Sequence, residues 1–338
     1  MAGAGRPLLD IRNLRTYFHL FEGTVRAVDG VSFSVPEQST LGVIGESGSG
    51  KSVMAQSILR IVPSPPGRIE SGSVVLSPGG IRTEPVDLAA LPPDGEVMRS
   101  VRGREIAMIF QEPMASFGPL TTIGHQIAEA MLTHDPKLSR RQAMERVVEL
   151  LDHVGIPMPR QRKDGYPHQF SGGMLQRAMI AMALSCSPRL LIADEPTTAV
   201  DVTIQAQLLE LLARLQQETG MSIMLITHNV AVVCELAQEI IVMYLGKVME
   251  RASVREILDN PLHPYTKALW RSIPRVEGKL ETLVSIRGTI PSPYETLTGC
   301  PFCNRCDEII PGTCDRVEPD GLAEIRPGHW VNCLRYRS

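Results

Sequence analysis

The segment Gly45–Ser52, with the sequence GESGSGKS, constrains the fold of this 338-residue chain more than any other feature. It follows the apolar stretch Leu41–Ile44 and precedes Lys51–Ile61, a segment typical of a helix. Glycines allow consecutive backbone N–H groups to turn inward around phosphates, and the positive end of the following helix points at them. We therefore expect a strand, a phosphate-binding loop and a helix in succession.

The pattern G-x-x-x-x-G-K-S assigns the side chains of this loop to parts of a nucleotide. Lys51 would reach the β- and γ-phosphates, and the Ser52 hydroxyl would ligate Mg²⁺. The rest of the loop would surround the phosphates; it comprises Gly45, Glu46, Ser47, Gly48, Ser49 and Gly50. The competing interpretation is a chance glycine turn, which the flanking strand and helix signals disfavour.

A second apolar strand signal, Leu190–Ala193, ends in two acids, Asp194 and Glu195. A buried strand would hold Asp194 at the carboxyl edge of a sheet, where it can bind Mg²⁺ through water. Glu195 would then polarise an attacking water. Acids at strand ends are often helix caps, so these two residues alone are a weak signal of a nucleotide site. Together with the glycine loop they become a strong one.

Strand and helix signals alternate along the chain. A helix signal over 202–219, with Gly220 as its C-terminal stop, separates the buried strand signals Leu190–Ala193 and Ser222–Ile226. This spacing predicts an α/β sheet with helices on both faces.

Three other regions depart from that alternation. Positions 8–35 have the pattern of short strands with turns, and the region after Pro261 that of short elements and loops. The region of about 112–180 is mainly helical and would form a subdomain. Within it, Ser139 and Gln142 have the spacing of a capping box.

The segment Phe170–Arg177, with the sequence FSGGMLQR, is a third candidate feature. A Ser-Gly-Gly sequence that opens a helix creates another anion-binding N-terminus. An ordinary serine N-cap explains the same residues equally well.

Composition narrows the classes of function. With 34 basic and 37 acidic side chains and 4% aromatic residues, the chain lacks the overall basic charge and the stacking platforms typical of nucleic-acid binding. No apolar run approaches the roughly 18 residues that a membrane-spanning helix needs. The N-terminus MAGAGRPLLD lacks the pattern of a signal peptide. We therefore expect a cytoplasmic protein, and any task at a membrane would require other chains to span it.

The loop, the acid-ended strand and the FSGGMLQR segment, in this order, resemble the ATP-binding-cassette (ABC) ATPases. The resemblance implies an ABC-type nucleotide-binding domain with a RecA-like core sheet, an N-terminal antiparallel β subdomain and a helical subdomain. It implies ATP and Mg²⁺ as cofactors, with Ser52, Gln111 and Asp194 around the metal. It also implies that ATP lies between two subunits and that its binding and hydrolysis drive alternating access in membrane partners.

The resemblance also assigns roles to individual residues. Lys51, Gln111, Glu195 and His228 would be catalytic, with Gln111 as the Q-loop glutamine and His228 as the switch histidine. The signature motif would contribute Ser171, Gly172, Gly173 and Gln176. Asp201 would belong to the D-loop, and Phe18, or its neighbour Tyr17, would stack on adenine.

Three positions depart from the family pattern. Phe170 replaces a leucine, Leu175 lies where a polar or basic residue is common, and Asn229 replaces the aspartate after the histidine. None of these changes removes a catalytic group, so the resemblance still implies a competent site.

The segments HPYTKAL (His263–Leu269) and GCPFCNRC (Gly299–Cys306) resemble the C-terminal extension of the oligopeptide, dipeptide and nickel importer ATPases. The chain would then divide into an ABC ATPase domain, 1–262, and a cysteine-rich extension, 263–338.

Five of the seven cysteines lie in this extension. Cys300, Cys306, Cys314 and Cys333 are separated by five, seven and eighteen residues. Four thiolates suit either a [4Fe–4S] cluster or Zn²⁺, and the spacing does not distinguish them. The resemblance favours the cluster. Cys303 is a fifth, alternative ligand.

The function implied is that of the ATP-hydrolysing subunit of an importer for peptides or similar small solutes. Its implied partners are two integral-membrane permease subunits, a second ABC ATPase or a second copy, and an extracytoplasmic solute-binding protein, with no nucleic acid. It would lie on the cytoplasmic face of the inner membrane. The alternative is a soluble ABC ATPase that acts on ribosomes or nucleic acid.

Overall fold

The computed structural model describes residues 7–197, 201–272, 286–295 and 297–337. The chain divides into two compact units that alternate along the sequence. The first unit comprises Met1–Leu9, Val35–Thr40 and Leu76–Thr227. The second unit comprises Asp10–Ser34, Leu41–Val75 and His228–Ser338.

Strands occur in both units. In chain order they are β1 (Pro7–Leu20), β2 (Gly23–Pro36), β3 (Thr40–Ile44), β4 (Gly67–Leu76), β5 (Val86–Asp87), β6 (Ile106–Ile109), β7 (Leu190–Asp194), β8 (Ser222–Thr227), β9 (Glu239–Tyr244), β10 (Lys247–Ser253), β11 (Ala323–Arg326) and β12 (His329–Val331).

The α-helices concentrate between residues 96 and 271. In chain order they are α1 (Lys51–Ile58), α2 (Glu96–Val101), α3 (Pro113–Ser116), α4 (Ile123–His134), α5 (Arg140–His153), α6 (Pro159–Arg162), α7 (Gly172–Leu184), α8 (Val202–Thr219), α9 (Val230–Leu236), α10 (Val254–Asp259) and α11 (Pro264–Arg271). Short 3₁₀ helices occur at Leu88–Ala90, Pro167–Gln169, Cys303–Arg305 and Leu334–Tyr336.

The second unit is built on a sheet that carries the glycine loop. β3 pairs in parallel with β9, with Leu41 opposite Glu239 and Ile44 opposite Val242. β9 and β10 pair in antiparallel fashion, and so do β10 and β12 and then β12 and β11. Every residue of β3 is buried, as expected for a central strand covered on both faces.

β1 and β2 are single strands of 14 residues each, so the prediction of several short strands was wrong. Only Phe21 and Glu22 separate them, and strands joined so closely must run antiparallel. β4 lies on the other side of β1. Buried positions alternate with more exposed ones over 9–11 and 14–16 of β1 and over 31–35 of β2, which is the pattern of a sheet with one covered face.

The first unit contains three parallel strands and a group of helices. β7 pairs with β6 on one side and with β8 on the other. Helices α4, α5 and α7 lie between β6 and β7 along the chain and contact one another. They agree with the helical subdomain predicted from the sequence.

Local sequence signals set several helix ends. The Ser139 side chain accepts the Gln142 backbone N–H, and the Gln142 side chain accepts the Ser139 backbone N–H, so the predicted capping box is confirmed. Gly220 ends α8 in the left-handed conformation, also as predicted. α1 ends at Ile58, three residues before the predicted end, because Leu59 leaves the helical conformation and Arg60 is left-handed. No described helix is long and apolar enough to cross a membrane.

Gly42 in β3 lies against α9 with no room for a side chain. A Cβ atom there would lie 2.1 Å from Val233 Cγ1. We expect Gly42→Ala to lower the free energy of unfolding by about 1–3 kcal/mol, because a β-branched side chain within a helix cannot move aside easily. Urea denaturation would measure the change. Gly118→Ala is the control: its Cβ would meet nothing closer than 3.6 Å, and its stability should stay within about 0.5 kcal/mol of wild type.

Candidate functional site

The glycine loop follows β3 in the second unit, and two of its glycines leave no room for a side chain. A Cβ on Gly45 would lie 2.2 Å from the Met243 carbonyl oxygen. One on Gly50 would lie 2.1 Å from the Ala27 carbonyl oxygen, and Gly50 has φ 96°. The loop is therefore packed closely against neighbouring backbone, and α1 begins directly after it.

The Lys51 side chain is buried and folds back over the loop, with 6% of its surface exposed. Its Nζ donates to the Gly45 carbonyl oxygen at 2.8 Å, to the Glu46 carbonyl oxygen at 2.9 Å and to Ser49 Oγ at 3.3 Å. These bonds hold a positive charge within the loop, where an anionic ligand would need it.

Glu46 forms three hydrogen bonds with residues outside the loop. Its carboxylate accepts two hydrogen bonds from Arg305, at 2.6 Å from Nη1 and at 3.0 Å from Nη2. Its backbone N–H donates to the Tyr265 hydroxyl oxygen at 2.9 Å. The motif HPYTKAL contains Tyr265 and the run CNRC contains Arg305, but neither residue has a sequence signal that predicts a contact with the glycine loop.

An aromatic cluster surrounds these contacts. The ring centroids of Tyr244 and Tyr265 lie 4.7 Å apart, and that of Phe302 lies 5.4 Å from Tyr244 and 5.2 Å from Tyr265. The Arg305 guanidinium lies 5.7 Å from the Tyr244 ring centroid and 5.9 Å from that of Phe302. Such rings stabilise a cation through their negative faces.

The start of α11 determines where Tyr265 lies. His263 Nδ1 accepts the Tyr265 backbone N–H at 3.0 Å and so caps the helix, while Pro264 occupies its first position. The Glu250 carboxylate accepts the backbone N–H groups of Leu262 at 2.7 Å and His263 at 2.9 Å.

The acid-ended strand lies in the first unit. Asp194 is the last residue of β7 and is buried. Glu195 follows with φ 47°, and its backbone N–H donates to the Ile226 carbonyl oxygen at 2.8 Å. Gln111 Nε2 donates to Glu195 Oε2 at 3.3 Å. The structure therefore brings together two of the predicted site residues that are 84 positions apart in the sequence.

The predicted signature residues open α7. Ser171 is exposed and its Oγ accepts the Met174 backbone N–H at 3.3 Å, so it is the serine N-cap that the sequence also allowed. Gly172 is exposed and Gly173 partly so. Gln176 is only 2% exposed and faces the interior, as does Leu175. The family pattern commonly has a polar or basic residue at position 175, and the burial of this position explains why an apolar leucine occupies it here.

Other predicted site residues lie at helix and strand ends. Asp201 caps α8 by accepting the Ile204 backbone N–H at 2.9 Å; residues 199 and 200 of the predicted D-loop lie outside the described residues. His228 is exposed directly after β8, in the second unit. Asn229, which replaces the aspartate of the family pattern, caps α9: its Oδ1 accepts the Ala231 backbone N–H at 3.1 Å.

The two aromatic candidates for adenine stacking differ in their contacts. The Tyr17 hydroxyl donates to Asp29 Oδ1 at 2.7 Å, and the pKa of Tyr17 is raised to about 12, first by burial and then by this bond. Phe18 is partly exposed on β1, and its ring lies beside Gly67 of β4. Tyr17 is thus held by a neighbouring side chain, whereas Phe18 presents an apolar ring.

The cysteines of the tail lie near one another in the second unit. All seven cysteines of the chain are free thiols, and Cys300, Cys303, Cys314 and Cys333 are buried. Burial raises the pKa of Cys300 and of Cys306 to about 12, and neighbouring thiols, including that of Cys333, add to the effect. Within the described residues, however, no group of three or more His, Cys, Asp or Glu side chains is placed to hold a metal ion. The predicted metal centre therefore does not fit the thiols as they are arranged here.

A glycine loop between a buried strand and a helix, together with a parallel strand ending in two acids, defines the P-loop class of nucleotide-binding proteins. A family model described as ABC transporter matches residues 28–198. A second model, described as oligopeptide/dipeptide transporter, C-terminal region, matches residues 249–314.

Relatives match almost the whole chain. The oligopeptide transport ATP-binding protein AppD of Bacillus subtilis is 45% identical over 97% of this chain and 97% of its own length. The dipeptide transport ATP-binding protein DppD of Bacillus subtilis is 44% identical, over 96% and 94%. A solved structure of the ATP-binding cassette MJ0796, described as dimeric and bound to ADP and Pi, has a TM-score of 0.63 and 24% identity, and covers 73% of this chain and 99% of that one.

This chain belongs to the ABC transporter family, as an ATP-binding, ATP-hydrolysing member. The resemblance inferred from the loop, the acid-ended strand and the HPYTKAL and GCPFCNRC segments is confirmed. The ABC-type α/β fold is confirmed by the likeness to the solved cassette, while the cysteine-rich extension stays a prediction.

The cap of α11 predicts a pH dependence of stability. Burial lowers the pKa of His263 from 6.5 to about 4, so the unfolded chain takes up a proton at this site before the folded chain does. The free energy of unfolding should therefore fall as the pH decreases from 6.5 towards 4, by up to about 3 kcal/mol from this residue alone.

Urea denaturation across this pH range, compared with His263→Asn, would measure the effect. Asparagine also caps helices but does not titrate. As the pH falls from 6.5 towards 4, the free energy of unfolding should therefore decrease more in the wild-type protein than in His263→Asn. Parallel pH profiles would contradict the assignment.

Proposed function

We propose that this chain is the ATP-hydrolysing subunit of an importer for peptides or similar small solutes. The observation that carries the proposal is that residues 249–314 match the oligopeptide/dipeptide transporter C-terminal region in a chain that also contains a phosphate loop. The names of AppD and DppD, oligopeptide and dipeptide transport ATP-binding proteins, support the solute class.

In the proposed site the phosphate loop binds the triphosphate. Its backbone N–H groups and Lys51 hold the phosphate oxygens, and the closely packed Gly45 and Gly50 fix the path of the loop. Ser52, Asp194 and Gln111 would hold Mg²⁺, which neutralises charge on the phosphates. Phe18, whose ring is partly exposed, is the proposed partner of adenine.

Glu195 is the proposed base that polarises the attacking water, with His228 and Gln111 beside the γ-phosphate. The hydrogen bond from Gln111 Nε2 to Glu195 Oε2 supports this role, because it orients the carboxylate. The left-handed backbone of Glu195 is a second indication, since strained conformations are common at functional sites.

The signature residues would act on the ATP of a second ATPase, either a homologue or a second copy. The exposure of Ser171, Gly172 and Asp201 supports this role, because these groups are open to a partner. Gln176 is a weaker candidate because its side chain is buried. The solved cassette that resembles this chain is described as dimeric.

The remaining proposed partners are two permease subunits and an extracytoplasmic solute-binding protein. Phe110, Met114 and Leu120 flank or follow Gln111 and expose 41%, 57% and 90% of their surfaces. Such apolar side chains suit contact with the cytoplasmic ends of membrane subunits. The chain would then lie peripherally on the cytoplasmic face of the inner membrane.

The alternative, a soluble ABC ATPase acting on ribosomes or nucleic acid, is disfavoured. The formal net charge of −3 gives no basic field, and the tail matches a transporter region. The division into an ATPase domain, 1–262, and an extension, 263–338, also remains a proposal; the two family models, which match 28–198 and 249–314, support two functional parts.

The role of Glu195 can be tested with Glu195→Gln. The amide cannot accept a proton from water, so we expect ATP hydrolysis by the assembled complex to fall by at least about 100-fold while ATP still binds. Phosphate release and equilibrium binding of a fluorescent ATP analogue would measure the two effects. Lys51→Ala is the contrasting variant, in which binding itself should weaken. Near-normal turnover of Glu195→Gln would remove Glu195 from the mechanism.

For the tail, we propose that Cys300, Cys306, Cys314 and Cys333 bind a metal centre, with a [4Fe–4S] cluster preferred over Zn²⁺ and with Cys303 as an alternative ligand. The interactions of Cys300 and Cys306 with the thiols of Cys314 and Cys333 support the proposal, because they require these side chains to lie near one another. The thiols would have to rearrange and lose their protons, which metal binding couples to folding.

Anaerobic purification of the full chain, followed by iron, acid-labile sulfide and zinc analysis, would test the metal centre. We expect about four irons and four sulfides per chain, and their loss in Cys306→Ser but not in Cys234→Ser. About one zinc per chain would show that the cysteines bind a metal but hold Zn²⁺ instead of a [4Fe–4S] cluster. The absence of all three would refute the metal proposal.

A further inference from the structure

Glu46 places a negative charge in a loop that is built to bind a polyanion. An unpaired carboxylate at this position would repel phosphates, and the repulsion would be strong because the loop is partly shielded from solvent. In the structure the Glu46 carboxylate is instead paired with Arg305 through two hydrogen bonds, at 2.6 and 3.0 Å. Residue 305 belongs to the cysteine-rich tail, 259 positions away along the chain.

The Arg305 guanidinium is fixed by its surroundings. Its side chain is only 4% exposed. Besides Glu46, its Nη1 donates to the Tyr244 hydroxyl oxygen at 3.3 Å, and its Nε donates to the Arg287 carbonyl oxygen at 3.0 Å. Because Phe302 and Tyr244 also flank it, Arg305 cannot follow Glu46 if the loop moves, and it therefore acts as an anchor.

The backbone of Glu46 is held as well. Its N–H donates to the Tyr265 hydroxyl oxygen, and its carbonyl oxygen accepts a hydrogen bond from Lys51 Nζ. The backbone N–H of Glu46 is thus bonded to the tail. The backbone N–H groups that can bind phosphate are therefore those of the loop residues after Glu46. The position of Glu46 also influences Lys51, which is the main cation of the loop.

We propose that Arg305 is a positioning residue for nucleotide binding: it neutralises Glu46 and fixes the phosphate loop, so that the tail sets the affinity for ATP. The proposal rests on the ATPase function proposed above. It assigns to the cysteine-rich tail an effect on the nucleotide that does not depend on which metal, if any, the cysteines hold.

The test compares Arg305→Ala with the double variant Arg305→Ala/Glu46→Gln in the full chain. Arg305→Ala leaves Glu46 charged and unpaired, and we expect the Kd of a fluorescent ATP analogue to rise about tenfold, equivalent to about 1.4 kcal/mol. Removing that charge with Glu46→Gln should bring the Kd back to within about twofold of wild type. The tenfold loss should also shrink at 1 M salt, where charges are screened.

Steady-state kinetics of the assembled complex provide a second readout. If Arg305 acts through binding, the KM for ATP should rise in Arg305→Ala while kcat changes by less than about twofold. A merely structural role would lower the amount of active protein, and with it the apparent kcat, while the KM for ATP of the protein that remains folded stays at the wild-type value.

Arg251→Ala is the matched control. Arg251 also pairs with a glutamate, with 2.8 Å between its Nη2 and Glu239 Oε2, and it lies over the Trp330 ring. It does not contact the loop, so Arg251→Ala should lower the melting temperature but leave the Kd unchanged. The proposal is overturned if Arg305→Ala binds ATP as wild type does, or if Glu46→Gln makes the Arg305→Ala defect worse. Failure of the wild-type chain to bind ATP would instead refute the ATPase function itself.

Discussion

The carboxylate of Glu250 is fully buried in β10, and much of the second unit depends on how its oxygens are bonded. Burial of a carboxylate is costly unless hydrogen bonds replace those of water. Here the backbone N–H groups of Leu262 and His263 supply two, and His329 Nε2 lies 2.6 Å from Oε1. These bonds join β10, the turn before α11 and the start of β12. They fix the first turn of α11, from which Tyr265 reaches the phosphate loop.

Features that depend on a few adjacent residues could be predicted from the sequence. The glycine loop, the capping box at Ser139, the stop at Gly220 and the acid-ended strand each follow from local backbone geometry and from side chains close in sequence. The roles of Gln111 and Glu195 were inferred from a family pattern, but the hydrogen bond between them was not predicted. It forms because the parallel strands β6 and β7 lie side by side and bring the two residues together.

Features that depend on distant residues could not be predicted. Nothing in the run CNRC indicates that its arginine contacts residue 46, because a surface arginine has the same local sequence signal. Gln176 was assigned to the nucleotide from its place in a motif, but the helical periodicity of α7 turns it inward with Leu175. The cysteine spacing indicated a cluster of thiols, yet the spacing does not determine where each sulfur atom points.

The contact between Glu46 and Arg305 has a consequence for how such proteins can be recombined. A junction at residue 262, where the tail begins by sequence resemblance, separates an acid from the base that neutralises it. A chimaera that takes its tail from another transporter keeps the ion pair only if that tail places an arginine at position 305. The cassette and the tail are therefore interchangeable only as a matched pair, even though each is recognised by a family model of its own.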